Sequence, residues 1–102
     1  MPLFPAGKRR RLAKDVLPIL NALADRTRLE LFYLLMRRPL PVLGVADRFK
    51  LSRPTISHHL AIMRRAGVLI ATRQGREIYY ESDTRRVLPL LAELLDSFED
   101  GR

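Results

Sequence analysis

The stretch from Leu51 to Tyr80, LSRPTISHHLAIMRRAGVLIATRQGREIYY, decides the fold. Ser52 is a side-chain cap for the helix that follows. Pro54 lands in its first turn, where a missing N–H is harmless. Gly67 supplies a left-handed stop. Residues 68–73 and 77–81 then read as two strands around the Gln74-Gly75 turn. A capped helix followed at once by a tight hairpin is a helix with a β-wing.

The chain upstream supplies the rest of the fold. Residues 1–7 hold Pro2, Pro5 and Gly7 and read as a loose arm. Leu12, Val16, Ile19, Leu20 and Leu23 recur at helical spacing. Pro18 interrupts them and predicts a kink or a fresh start. Asp25 is a good N-cap for the next helix. Leu29, Leu31, Phe32, Leu34, Leu35 and Met36 are apolar on nearly every side, which predicts a central buried helix. Arg37-Arg38-Pro39-Leu40-Pro41 ends it, and a short helix follows to Phe49. Downstream of the wing, Asp83 is placed to cap a last helix carrying Leu88, Leu91, Leu94, Leu95 and Phe98. Pro89 predicts that its regular part starts near Pro89 itself.

The expected fold is therefore mainly α with a small β-hairpin. It is a winged helix-turn-helix of about five helices plus a two-stranded wing. One domain spans residues 1–102, with outer helices over 8–24 and 84–99, the helix-turn-helix over 42–66 and the wing over 68–81.

Bulk properties narrow the function. The chain of 102 residues carries 19 Lys+Arg against 11 Asp+Glu, a formal charge of +8. That balance favours an anionic partner, nucleic acid or a lipid surface. There is no cysteine, so disulfides, thiolate metal sites and thiol redox switches are excluded. No apolar run approaches the roughly twenty residues of a membrane span. The basic cluster follows a very short apolar start, the reverse of a secretory signal, so a cytoplasmic location is expected.

Successive helical residues rotate by about 100°. With Ile56 inward, Leu60 and Met63 share its face and His59 lies at the edge. Ser57, His58, Ala61, Arg64 and Arg65 point sideways or outward. A helix presenting such a face fits the major groove, where residues near its N-terminus reach base edges. Arg53, Thr55, Ser57 and His58 are placed for that, with Arg64 further along. Ser52 and the free N–H groups of the first turn suit a phosphate. Arg73 and Arg76 flank the wing tip, within reach of backbone or minor groove. The same pattern also fits an ordinary solvated helix face and a hairpin with two surface arginines.

LADRTRLELFYLL, LSRPTISHHLAIMRRAGVL and RQGREIYYE together resemble the ArsR family of bacterial winged-helix repressors, over roughly Ile19 to Leu95. The resemblance implies a homodimer that binds palindromic double-stranded operator DNA and releases it when an inducer binds. It places base contacts on Arg53, Thr55, Ser57 and His58, and wing contacts on Arg73, Gln74 and Arg76. It also implies dimerisation through the first and last helices. Their apolar stripes are more than one small domain can cover. Leu12, Val16, Leu91, Leu94 and Leu95 are the expected seam.

Metal-sensing members of that family commonly carry a Cys-x-Cys pair where this chain has Pro41 and Leu43. Other members use Asp and His on the last helix. Here that segment offers Asp83, Glu93, Asp96, Glu99 and Asp100 but no histidine. No metal site and no cofactor is expected, and the inducer is left open. Carboxylates alone read equally as a solvated face or as partners of the basic first helix. The adjacent His58 and His59 diverge along the helix and cannot easily grip one ion. His59 reads as a packed residue at the core edge. The cluster Lys8, Arg9, Arg10 and Arg11 reads either as a DNA-contacting arm or as a solvated helix start.

Catalysis has no support: no cysteine nucleophile, no Gly-rich phosphate loop and no His–carboxylate pair. The alternatives to a repressor are a winged helix that binds protein without operator binding, or one that reads RNA.

Overall fold

The computed structural model describes residues 6–100. In chain order the elements are α1 (Ala6–Leu23), α2 (Arg26–Arg37), β1 (Leu40–Pro41), α3 (Val42–Phe49), α4 (Arg53–Arg65), β2 (Leu69–Gln74), β3 (Glu77–Ser82) and α5 (Thr84–Asp100). This is the expected winged helix-turn-helix with five helices.

The local caps follow from side-chain chemistry. Asp25 accepts the Arg28 N–H at 3.0 Å and opens α2. Ser52 accepts the Thr55 N–H at 3.3 Å and opens α4. Asp83 accepts the Arg86 N–H at 3.2 Å at the head of α5. Gly67, at φ 78°, closes α4. Its N–H donates to the Arg64 carbonyl, and the Val68 N–H donates to the Met63 carbonyl. That paired return satisfies two carbonyls that the helix end would otherwise orphan. Between α3 and α4 the chain turns at Lys50, whose φ of 54° is left-handed.

Four points depart from or add to the expectations. The wing is the expected two-stranded hairpin, but a third strand joins it, giving the sheet order β1-β3-β2. β1 pairs Leu40 with Tyr80 and Pro41 with Tyr79. Pro41 is tolerated because β1 is an edge strand, and two residues are too few to show a strand period. Second, neither Pro18 nor Pro89 breaks its helix. Both prolines are exposed, as are Lys14 and Arg85 four residues before them. The carbonyls that lose an N–H partner therefore meet water. Third, Ala6 and Gly7 belong to α1 and not to the loose arm expected over 1–7; the rest of that arm, residues 1–5, lies outside the described residues. Fourth, α2 is not buried all round. Leu31, Phe32 and Leu35 are inside, but Leu29, Tyr33 and Met36 are exposed.

One core joins the elements. Ile19 and Ala22 of α1, Leu31 and Leu35 of α2, Val45 of α3 and Ile56, Leu60 and Met63 of α4 meet Val68, Leu69 and Val87 there. Removing a large side chain from such a cluster costs about 2–5 kcal/mol. Ser82, the buried polar residue at the end of β3, donates to the Phe32 carbonyl at 2.7 Å and fastens the wing to α2. A second cluster packs Leu12 and Val16 of α1 on Leu90, Leu91 and Leu94 of α5. Among the described residues, no helix is long and apolar enough to cross a membrane.

Candidate nucleic-acid interface

The helix α4 divides as its periodicity requires. Ile56, Leu60 and Met63 are buried on the core face. Arg53, Thr55, Ser57, His58 and Arg64 are all exposed, as is the capping Ser52. Anchoring by three apolar side chains fixes the rotation of the helix, and so fixes which side chains face outward. At its head the Ser52 hydroxyl donates to the Thr55 hydroxyl at 2.8 Å. Thr55 keeps its own hydroxyl proton to offer outward.

The wing places its cations by turn geometry. Gly75, at φ 64°, makes the tight reversal between β2 and β3. Gln74 pairs with Glu77 at the end of the ladder. Arg73 donates from Nε to the Gly75 carbonyl at 3.3 Å, which holds its stem along the turn. Arg73, Gln74 and Arg76 are all exposed.

His59 is half-buried, at the edge of the core face as its position predicts. Its Nδ1 lies 3.4 Å from Arg28 Nη1. Arginine can only donate, so Nδ1 accepts. The His58 and His59 rings stand 6.1 Å apart, tilted by 54°. Among the described residues no group of three or more His, Asp or Glu side chains converges on a point. Pro41 caps α3 without a side-chain hydrogen bond, and Leu43 is exposed; neither offers a donor atom for a metal.

Sequence reasoning missed one juxtaposition. Arg53 of α4 and Arg76 of the wing line the same cleft, together with Leu43 of α3 and Ile78 of β3. Nothing in the spacing of four residues drawn from four segments could have signalled it.

Comparison with known proteins agrees with this geometry. The sequence pattern of bacterial regulatory proteins of the arsR family matches residues 25–71, from the α2 cap into β2. The arsenic resistance transcriptional regulator ArsR1 of Pseudomonas putida is 33% identical over 99 residues, covering 96% of this chain and 73% of that protein. The chain belongs to the ArsR family. A second member, the transcriptional repressor SdpR of Bacillus subtilis, is 36% identical over 66 residues, covering 65% of this chain and 73% of SdpR. The ArsR-like transcriptional regulator from Rhodococcus sp. RHA1 shares the fold with a TM-score of 0.77 at 28% identity, over 85% of this chain and 79% of that one. The chain is thus a winged helix-turn-helix transcription regulator of the ArsR type, a family of DNA-binding repressors.

Proposed function

We propose that this chain is a homodimeric repressor that reads operator DNA with α4, grips the backbone with its wing, and is not switched by a thiolate-bound metal. The observation that carries the reading is the two-sided construction of α4. Its apolar face is wholly spent on the core, while Arg53, Thr55, Ser57, His58 and Arg64 stand exposed beside a wing bearing Arg73 and Arg76. A net charge of +8 supplies the long-range attraction. The chain has no cysteine, and Pro41 and Leu43 cannot replace one as ligands.

Dimerisation is supported by what the protomer leaves uncovered. Leu12 and Val16, expected at the seam, are 5% and 2% exposed inside the protomer. Leu91 and Leu94 pack partly against them, which leaves Leu95 of the expected set outside. Leu88, Leu91, Leu95 and Phe98 follow one another at a spacing of three, four and three along α5, the stripe of a helix–helix seam. Leu95 and Phe98 are each 64% exposed, and Leu17 and Leu20 of α1 add to the apolar surface. The proposed seam therefore moves one face round, from Leu12 and Val16 to Leu88, Leu95 and Phe98.

The test is binding to duplex DNA and duplex RNA of the same sequence across a salt series. A-form RNA closes its major groove to a helix, so only DNA should shift. If a dimer neutralises roughly six to ten phosphates, affinity falls about 10³–10⁵-fold between 50 and 200 mM salt. Arg73→Ala and Arg76→Ala should weaken binding to all sequences alike. Ser57→Ala or His58→Ala should change base preference by about 1–3 kcal/mol per lost contact. A flat salt response, or equal binding to RNA, refutes the operator-reading mode.

A further inference from the structure

The cleft between the helix-turn-helix and the wing has a composition that DNA contact alone does not account for. Its volume is about 260 Å³. Pro41, Val42 and Leu43 line it from β1 and α3, and Ile78 and Tyr80 from β3. Leu43 and Ile78 are large apolar side chains left exposed. Two guanidinium groups, Arg53 and Arg76, stand at the same cleft with the single carboxylate of Glu77. Among the described residues neither arginine has a hydrogen bond or ion pair to another side chain. Two cations against one anion leave a net positive rim over apolar walls.

A DNA phosphate would use the guanidinium groups and nothing else. A phosphate contact gives the apolar walls no role. They match a molecule with one anionic end and a flat apolar body. The volume lies just below the range of about 300–1,000 Å³ for drug-sized ligands, which limits the body to one or two fused rings. Arginine recognises a carboxylate through two parallel N–H donors, with charge assistance.

We propose that this cleft is a binding site for a small aromatic carboxylate, held by Arg53 and Arg76 over the apolar pair Leu43 and Ile78. The inference rests on the operator-binding reading for its consequence. Both arginines belong to the proposed DNA-contacting set, so an occupied cleft withholds two contacts at once, a base contact from Arg53 of α4 and a backbone contact from Arg76 of the wing. The ligand would then release DNA by direct competition, with no change of fold. No metal and no distant site is needed.

The test uses the full chain with 1-naphthoate as probe and 1-naphthalenemethanol as its neutral counterpart. Without DNA, the NMR signals of the Leu43 and Ile78 methyls and the Tyr80 ring should shift and saturate with naphthoate. The neutral alcohol should bind at least about tenfold more weakly, since it forfeits the charge-assisted bonds. Leu43→Gln, at an exposed position outside the DNA-contacting set, should weaken naphthoate about five- to tenfold through lost apolar contact. It should leave DNA affinity within about twofold. Arg53→Gln should weaken both ligands. In a mobility shift, naphthoate should raise the apparent DNA Kd in proportion to its concentration. Equal binding of acid and alcohol overturns the proposal, as do shifts spread away from the cleft or an unchanged Leu43→Gln. Saturable cleft binding in a protein that never shifts DNA would uphold the site and remove the repressor reading instead.

Discussion

Arg28 Nη1 lies 3.4 Å from His59 Nδ1, and this pair ties α2 to the back of the recognition helix. The same guanidinium donates from Nε to the Ala22 carbonyl at 2.6 Å. The backbone N–H of Arg28 meanwhile donates to the Asp25 carboxylate. One residue thus joins the end of α1, the α1–α2 junction and α4. In the proposed operator-reading mode the aim of α4 depends on its rotation and tilt, so this joint would help to set the geometry of that contact.

A double-mutant cycle measures the joint. Arg28→Ala, His59→Ala and the double variant should show a coupling of about 0.5–1.5 kcal/mol in urea unfolding, the worth of one partly buried hydrogen bond. Arg28→Ala alone should cost more than His59→Ala, because it also strips the Ala22 carbonyl of its donor. Strict additivity of the two changes would mean the contact carries no energy.

Asp25 gives a pH signature of defined sign. The Arg28 backbone N–H holds its carboxyl below the ordinary value of 3.8; burial opposes this less strongly, and the Arg28 charge adds to the lowering. A lowered native pKa stabilises the fold above the unfolded value. That contribution is lost as pH falls from about 4 through the lower folded value. Asp25→Asn keeps a capping oxygen and should flatten this part of the acid limb, while Asp25→Ala should cost about 0.5–2 kcal/mol at neutral pH. Acid titrations of thermal stability separate the two variants. An unaltered acid limb in Asp25→Asn would contradict the assignment.

Gly67 and Gly75 should respond differently to alanine. Both have positive φ, which costs an L-residue about 1–2 kcal/mol. At Gly75 an added Cβ meets nothing within 4 Å, so that backbone cost is the whole effect. At Gly67 the Cβ would stand 2.9 Å from Arg86 Nε. Arg86 is a flexible side chain and can swing aside at small further cost. Gly67→Ala should therefore be the more destabilising, and adding Arg86→Ala should recover the steric part only. Chemical denaturation of the four proteins checks the order.

The seam on α5 is tested by charge. The wild-type chain should sediment as a dimer of the 11.8 kDa protomer. Leu95→Glu or Phe98→Glu should weaken association at least about tenfold, since each would bury an unpaired carboxylate in the contact. Both side chains are exposed in the protomer, so the folded monomer should survive with its helical circular dichroism intact. Leu12→Ala should instead lower protomer stability, because its partners are Leu90, Leu91 and Leu94 of the same chain. A dimer indifferent to both glutamates would move the seam elsewhere.

The outward-facing residues of α4 were legible because a helix converts sequence spacing directly into direction. Ile56, Leu60 and Met63 settle which way the helix faces, and everything a quarter-turn or more away is then outward. The apolar seam was less legible. Leu12 and Leu95 are equally apolar and both lie on outer helices, yet one is buried within the protomer and the other is not. Spacing along α1 and α5 gives each helix its stripes, but which stripe meets its own chain depends on how the two helices cross. The extra strand escaped for a related reason, since Leu40 and Pro41 become β1 only because Tyr79 and Tyr80 lie alongside.

By itself the sequence determined the helices and the hairpin, their caps and the outward face of α4. Those are local properties, set by side-chain capping at Asp25 and Ser52, by left-handed turns at Gly67 and Gly75, and by periodicity. Only the tertiary structure decided the partnerships between distant segments: Arg28 with His59, Leu12 with Leu91, and Arg53 with Arg76 around one cleft. Each of these depends on how whole helices and strands pack against one another, and packing is fixed by the joint fit of the core rather than by any residue's neighbours in the chain.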